Sequence, residues 1–294
     1  SESTYLYGGI EHDIKDREKI QSIATLNLGA EHEWEKATVD YEVAWTQARE
    51  DQPDRMEVAF ENPGQAIFIR FDRSNPRYPR PTYPDQTNSS NATDWDNYTM
   101  DQLFFEESQA NDRNLIGRFN VELPYQTGRS EGFFKFGSLL RSKEKMRDIK
   151  AQSFAAYFPT SNIYPLPGDT LSLSAVASDF QDNNLLDRGY QMSHLPDPDK
   201  MRQFYERFPT HFIYGDAGVT ESRELSFGED YTATEDVYAG YGMFQHQFDK
   251  LMILGGVRFE KTFIDYGGFQ ISKTSSGDFF NLYSICTGEV AINV

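Results

Sequence analysis

Cysteine is almost absent: Cys286 stands alone in 294 residues. One thiol cannot build an internal disulfide framework or a cysteine-based zinc site. Basic residues are scarce as well, 28 against 46 acids, for a formal net charge of −18. Such a chain lacks the basic patches that a phosphate backbone requires, so no nucleic-acid partner is expected. No run approaches the roughly 18 consecutive apolar residues of a membrane-spanning helix. No signal-peptide pattern opens the chain. The five histidines, His12, His32, His194, His211 and His246, show no H-x-x-x-H spacing, so neither a metal nor a cofactor is expected. P-loop, dinucleotide and Ser-His-Asp patterns are missing too, and no enzyme is expected.

Aromatic residues are plentiful, 15% of the chain, with 23 Phe and 17 Tyr, although hydrophobic residues reach only 38%. A disordered acidic chain would not carry so many rings. The rings sit in long stretches of alternation. In 19–50, Ile20, Ala24, Leu26, Leu28, Ala30 and Trp34 alternate with Lys19, Gln21, Asn27, Glu31 and Glu33. After Glu35-Lys36-Ala37 the pattern resumes as Val39, Tyr41, Val43 and Trp45 against Asp40 and Glu42. The stretch 113–145 repeats it: Leu115, Phe119, Val121, Leu123, then Phe134, Phe136 and Leu140, against Arg118, Asn120, Glu122, Lys135 and Arg141. In the third, 236–262, Val237, Ala239, Tyr241 and Met243 make one face of the first strand. Leu251, Ile253, Val257 and Phe259 make one face of the second, with Arg258 and Glu260 opposed. Period-two alternation is the strand signature. Six strands in three antiparallel hairpins are expected, each about ten residues or more, longer than the usual five or six.

The connections are unequal. Within each hairpin the turn is short; between hairpins the chain leaves for 51–112 and 146–230. Loops this long are uncommon and usually functional. In an up-and-down arrangement the short turns share one end and the long loops the other, as in outer-membrane barrels. The first excursion reads as a small hairpin, "MEVAF" with "QAIFIRFD" around Asn62-Pro63-Gly64, followed by irregular loop. In the second, Asp197 and Pro198 open a helix of about ten residues. A soluble sheet packed on a core is the ordinary cause of alternation. Charged residues on the second face, and rings toward strand ends (Trp34, Tyr41, Trp45), suit a wall between lipid and a wet lumen instead.

Several clusters have a bland reading beside a functional one. "RSNPRYPRPTY" places Arg73, Arg77, Tyr78, Arg80 and Tyr83 together. They could present cations and rings to an anionic or carbohydrate ligand, or form a proline-stiffened loop whose arginines pair with acids. "DWDN" at 94–97 lacks the glycine and distal glutamate of a calcium loop. Asn88, Asn91 and Asn97 lie in N-x-S/T triplets, coincidental in so Asn/Ser/Thr-rich a stretch. Glu106-Glu107 and Glu229-Asp230 could suggest a glycosidase, but adjacent acids arise by chance here.

The segment "DYTATEDVYAGYGMFQHQFDKLMILGGVRFEKTFIDY" resembles the barrel of TonB-dependent outer-membrane receptors, above all in "GGVRFEKT". "LNLGAEHEWEKATVDYEVAWTQAREDQPDR" and "GFFKFGSLLRSKEKMRD" are similar to earlier hairpins of that barrel, and the likeness covers about 1–265. It implies an all-β, antiparallel up-and-down transmembrane β-barrel of 22 strands, with long extracellular loops, filled by an N-terminal plug. It implies uptake of a scarce large nutrient (siderophore, cobalamin, haem or glycan) across the outer membrane of a Gram-negative bacterium. The expected partners are the inner-membrane TonB–ExbB–ExbD complex, reached through the N-terminal part, outer-membrane lipid and lipopolysaccharide, and the extracellular nutrient. Neither plug nor TonB box is recognisable, and six to eight strands cannot close so wide a barrel. Residues 1–294 are thus expected to be one internal piece of the barrel domain, with the stretch after about 265 outside the pattern. The competing expectation is a soluble extracellular β-sandwich that binds carbohydrate, its two sheets meeting at their apolar faces.

Overall fold

A computed structural model describes residues 5–62, 67–128, 130–154, 156–157, 170–213, 215–273 and 279–293. In chain order the first half contains β1 (Tyr5–Gly8), β2 (Glu11–Arg17), β3 (Ile20–Trp34), β4 (Ala37–Glu61), β5 (Ile67–Asp72), β6 (Arg80–Thr82), α1 (Gln86–Thr93), β7 (Thr99–Thr127) and β8 (Ser130–Phe154). Then come β9 (Ala156–Tyr157), β10 (Gln181–Leu185), β11 (Tyr190–Ser193), α2 (Pro198–Arg207), β12 (Phe212–Ile213), α3 (Gly215–Gly228), β13 (Tyr231–Phe248), β14 (Leu251–Lys273) and β15 (Phe279–Asn293). Among the described residues no helix is long and apolar enough to cross a membrane.

One eight-stranded sheet dominates, in the order β15-β14-β13-β8-β7-β4-β2, with β3 also on β4. The three expected hairpins are present: β3–β4 around Glu35-Lys36, β7–β8 at Gly128, and β13–β14 around Asp249-Lys250. The turns use residues that accept positive φ, Gly128 at 63° and Asp249 at 38°. The chain divides into two compact units. One comprises 1–18, 54–107 and 150–223, the other 19–53, 108–149 and 224–294.

Three expectations about the strands fail. The stretch after 265 is not outside the pattern: β14 continues to Lys273 and pairs with β15 from Phe259↔Asn293 to Lys273↔Phe279. Gly267 and Gly268 interrupt the side-chain alternation, but a ladder is made of backbone groups. The excursions are also shorter than 51–112 and 146–230, because β4 runs to Glu61, β7 starts at Thr99 and β8 reaches Phe154. Finally, "MEVAF" and "QAIFIRFD" do not form a hairpin. β5 pairs with β1 and β6, while the end of β4 pairs with β2; Pro63 and Gly64 lie outside the described residues. The helix opened by Asp197 and Pro198 is present, with the Asp197 carboxylate accepting from the Lys200 amide at 3.0 Å.

The 19–53, 108–149, 224–294 unit is a sheet with two chemically distinct faces. Register puts Leu26 opposite Trp45 and Leu28 opposite Val43. It also places Val257 opposite Gly242 and Gly242 opposite Phe136, and Phe259 opposite Gly240. Tyr125 stacks on Phe134 and on His246, so Phe119 and Val121, an even number of residues away, share that face. This apolar face is uncovered: Leu28 is 76% exposed, Leu26 67%, Val257 and Phe259 58%. The other face carries Arg118, Arg141, Arg258 and Glu260, as expected. Val237, Ala239, Tyr241 and Met243 belong to it as well, opposite Arg141, Leu139, Gly137 and Lys135. The two sets read as faces of the third hairpin are therefore on opposite sides of the sheet. Across the polar face, Tyr241 donates to Asn120 at 2.9 Å and Asn120 donates to Asp40 at 2.7 Å. Lys135–Glu122, Arg141–Glu235 and Arg118–Glu42 add ion pairs.

The unit of 1–18, 54–107 and 150–223 has a conventional core. Met56, Val58 and Phe60 point inward at alternate positions of β4 and join Tyr98, Leu103, Phe154, Leu173, Val176, Met201 and Phe212. Met201 is the buried anchor of α2, whose Arg202 reaches both Asp16 at 2.8 Å and Asp54 at 2.5 Å. Glu221 of α3 accepts from Ser153 and Gln102, each at 2.6 Å. Glu106 is buried in an ion pair with Arg55, whereas Glu107, next along the strand, has Lys150 at 4.0 Å. Neighbouring strand residues point to opposite faces, so these two acids do not act as a pair.

Gly137 sits under the Asn120–Tyr241 contact, where an added Cβ would meet Asn120 Oδ1 and the Tyr241 ring. At Gly117 nothing lies within 4 Å of the same atom. Gly137→Val is expected to lower stability by about 1–3 kcal/mol and Gly117→Val to leave it nearly unchanged, as read from chemical-unfolding midpoints.

Candidate functional site

A cavity of about 730 Å³ opens in the 1–18, 54–107, 150–223 unit. Its wall is assembled from short elements. β2 brings His12, which lies opposite the fully buried Phe60 and so faces inward. β6 brings Arg80 and Thr82, and β11 brings Tyr190 and Gln191. The α1 helix and the turn after it bring Ala92 and Trp95. Asp85 caps α1, accepting from the Asn88 amide at 2.8 Å, and Asn88 in turn accepts from the Phe68 amide at 2.8 Å. Asn88 is thus a buried structural residue of the helix that sequence reading took for loop. Asp94, the first acid of "DWDN", caps the turn Trp95–Asn97 and thereby fixes Trp95.

Tyr98 forms the floor. It is 1% exposed, and its hydroxyl donates to the Ala92 carbonyl at 2.8 Å. Burial, with Tyr83 nearby, pushes its pKa upward, so the phenol stays protonated. Burial also raises that of Tyr83. His12 meets the Tyr98 ring edge to face, centroids 4.5 Å apart. Burial, and then neighbouring His194, hold the His12 pKa below the usual imidazole range, against a smaller opposing pull from Asp13. His194 stacks on Trp95 with 25° between the rings. Its backbone is left-handed, φ 59°, and its buried Nδ1 has no hydrogen-bond partner.

Next to this cavity lies a second, of about 650 Å³, lined by Asp72, Tyr78, Arg80, Asp187, Arg188 and Gly189 among others. Of the five residues singled out in sequence, Arg80 lines both cavities, Tyr78 the second and Tyr83 the first; Arg73 and Arg77 line neither. Arg188 lies over the Tyr78 ring, 4.3 Å from its centroid. Arg80 donates to the Arg188 carbonyl at 2.9 Å, and Tyr190 donates to the Pro79 carbonyl at 3.1 Å. Comparison with protein-family models, curated proteins and solved structures returns no match. Chemically, the first cavity offers half-buried rings and hydrogen-bonding side chains of mixed charge. Among the described residues no group of three or more His, Cys, Asp or Glu could hold a metal ion. Trp95, Tyr98, Tyr190, Arg188, His12 and His194 were not legible as one site, because they come from segments far apart in sequence and carry no shared motif.

Two outcomes follow from this geometry. Gly189 adopts φ 67°, and a Cβ there would come within 3.2 Å of the Arg80 guanidinium. Gly189→Ala is expected to cost about 1–2 kcal/mol of backbone strain and to displace Arg80, measurable as a lower melting temperature. His12 takes up a proton less readily when folded than when unfolded, where its pKa is near the ordinary 6.5. Its contribution is therefore fully present above that pH and is lost as pH falls. Between pH 7 and 5 His12→Gln should lose less stability than the parent chain, by the difference in melting temperature.

Proposed function

We propose that this chain is part of the barrel of a TonB-dependent outer-membrane receptor that takes up a scarce large nutrient. The observation that carries the reading is the two-faced sheet: Leu26, Leu28, Val43, Trp45, Phe119, Val121, Phe136, Ile253, Val257 and Phe259 share one face, opposite Arg118, Arg141, Arg258 and Glu260. Most of those apolar side chains are about half exposed or more. A soluble monomer does not leave so extended an apolar surface in water, whereas a lipid-facing wall requires it. A carbohydrate-binding sandwich would bury the same residues between two sheets.

Dimensions agree. Rings gather near the short turns, where Tyr125, Phe134, His246 and Phe248 contact one another, and again at Tyr238 with Phe263. From Leu251 to Phe263 are twelve steps along β14. At about 3.3 Å each they span about 40 Å, or about 28 Å along the normal for a strand tilted by about 45°. That is close to the apolar band of about 25 Å between aromatic girdles. In this reading the short turns face the periplasm and the long connections, with their cavities, face outside. The charged face lines the lumen, and further strands complete the wall. Energy comes from TonB–ExbB–ExbD, and uptake through the complete barrel is transport without bond chemistry; this piece of the wall does not transport by itself.

Size-exclusion chromatography and circular dichroism of the 294-residue chain, with and without detergent, test the assignment. Aggregation in plain buffer is expected, because an apolar wall and strand edges are left in water, with recovery of β-structure in detergent. A monodisperse, cooperatively melting monomer in buffer alone would overturn it.

A further inference from the structure

The receptor reading leaves the nutrient open, and the cavity on the long connections narrows it. Three half-buried rings, Trp95, Tyr83 and Tyr190, line it together with the exposed polar side chains of Arg80, Thr82 and Gln191. Trp95 keeps one face against His194, and rings next to hydrogen-bonding groups suit a ligand that is itself two-faced, with C–H bonds on one side and hydroxyls around its edge. Sugar rings have that construction. The alternatives fit less well. A carboxylate-rich ligand would find one arginine there, accompanied by Glu11 and Asp13, on a chain of net charge −18 that repels anions at long range. A purely apolar ligand would leave the polar groups desolvated and unpaired. A metal ion finds no ligand triad among the described residues.

The neighbouring cavity bears on length. It shares Arg80 and Gly189 with the first, so the two are contiguous. Its charges offset, Arg80 and Arg188 against Asp72 and Asp187. It is not a cationic trap, and its lining is hydrogen-bonding throughout, with Ser74, Asn75 and Asn184. At about 730 Å³ the first cavity falls within the range of small-molecule sites, about 300–1,000 Å³; the second extends it. We infer that the paired cavities bind a neutral oligosaccharide, one unit seated on the rings of the first cavity and the chain continuing past Arg80 into the second. This rests on the receptor reading for its biological meaning, though the binding itself does not require a membrane.

The test is calorimetric titration of the detergent-solubilised full protein with maltohexaose, cellohexaose, xylohexaose and galactohexaose, and with oligogalacturonate as the anionic counterpart. At least one neutral oligosaccharide should bind saturably and more tightly than oligogalacturonate. Trp95→Ala should weaken it about tenfold or more, the order expected for one lost stacking surface. Gln191→Ala, an exposed substitution that leaves the fold intact, should weaken it by a few-fold; melting curves verify folding of both. The inference is overturned if no neutral oligosaccharide binds at millimolar concentration, if oligogalacturonate binds better, or if both folded variants retain parental affinity. Insertion into liposomes, followed by protease protection, is read separately. Insertion without sugar binding sinks the ligand class and spares the receptor reading. Sugar binding without insertion does the reverse.

Discussion

A β-strand sends its side chains alternately to two sides, and in the 19–53, 108–149, 224–294 unit neither side is buried in a conventional core. The backbone satisfies itself from strand to strand, through fifteen consecutive pairs between β3 and β4 and eighteen between β13 and β14. Stability then depends on what solvent meets each face. Leu28 and Val257 on one side, and Arg258 and Glu260 on the other, cannot both be at ease in one medium. The sheet therefore presents two chemically distinct faces held together by one continuous backbone ladder.

The polar face shows how such a sheet carries charge. Arg141 with Glu235, Lys135 with Glu122 and Arg118 with Glu42 are cross-strand or near-neighbour pairs, each partly exposed. Exposed pairs contribute little, about 0–1 kcal/mol each. Their effect is to hold opposite charges together and to disfavour registers that would bring like charges level. The chain from Tyr241 through Asn120 to Asp40 is different, since an amide placed between two partners is satisfied in one register only.

The sheet was legible in sequence because alternation is local. Leu26, Leu28, Val43 and Trp45 declare one face within twenty residues, and the hairpin turns are short enough to fix the pairing. The helix at Asp197-Pro198 was legible for the same reason, since its cap and first residue are adjacent. The third hairpin misled because Val237, Ala239, Tyr241 and Met243 are apolar yet share the face of Arg141 and Lys135; glycines at 240 and 242 occupy the apolar side and carry no signal. The cavity was hardly visible. Tyr78, Arg80 and Tyr83 stood out by composition, but Arg73 and Arg77 stood out equally and line neither space. Trp95, His12 and His194 reach the wall through a helix cap, a strand pairing and a left-handed residue, all of them long-range results of folding.

The long strands have one more consequence. β4, β7 and β8 each contribute residues to both compact units. Alternation alone is blind to a slip of two residues, which restores every side chain to its own face. A core of defined shape is not: moving β4 by two positions would replace Met56, Val58 and Phe60 at their sites by residues of other sizes. The packed unit thus works as an index mark on a ruler. A slip of two residues along β4 would therefore misfit these three side chains in their core, even where alternation alone permits it.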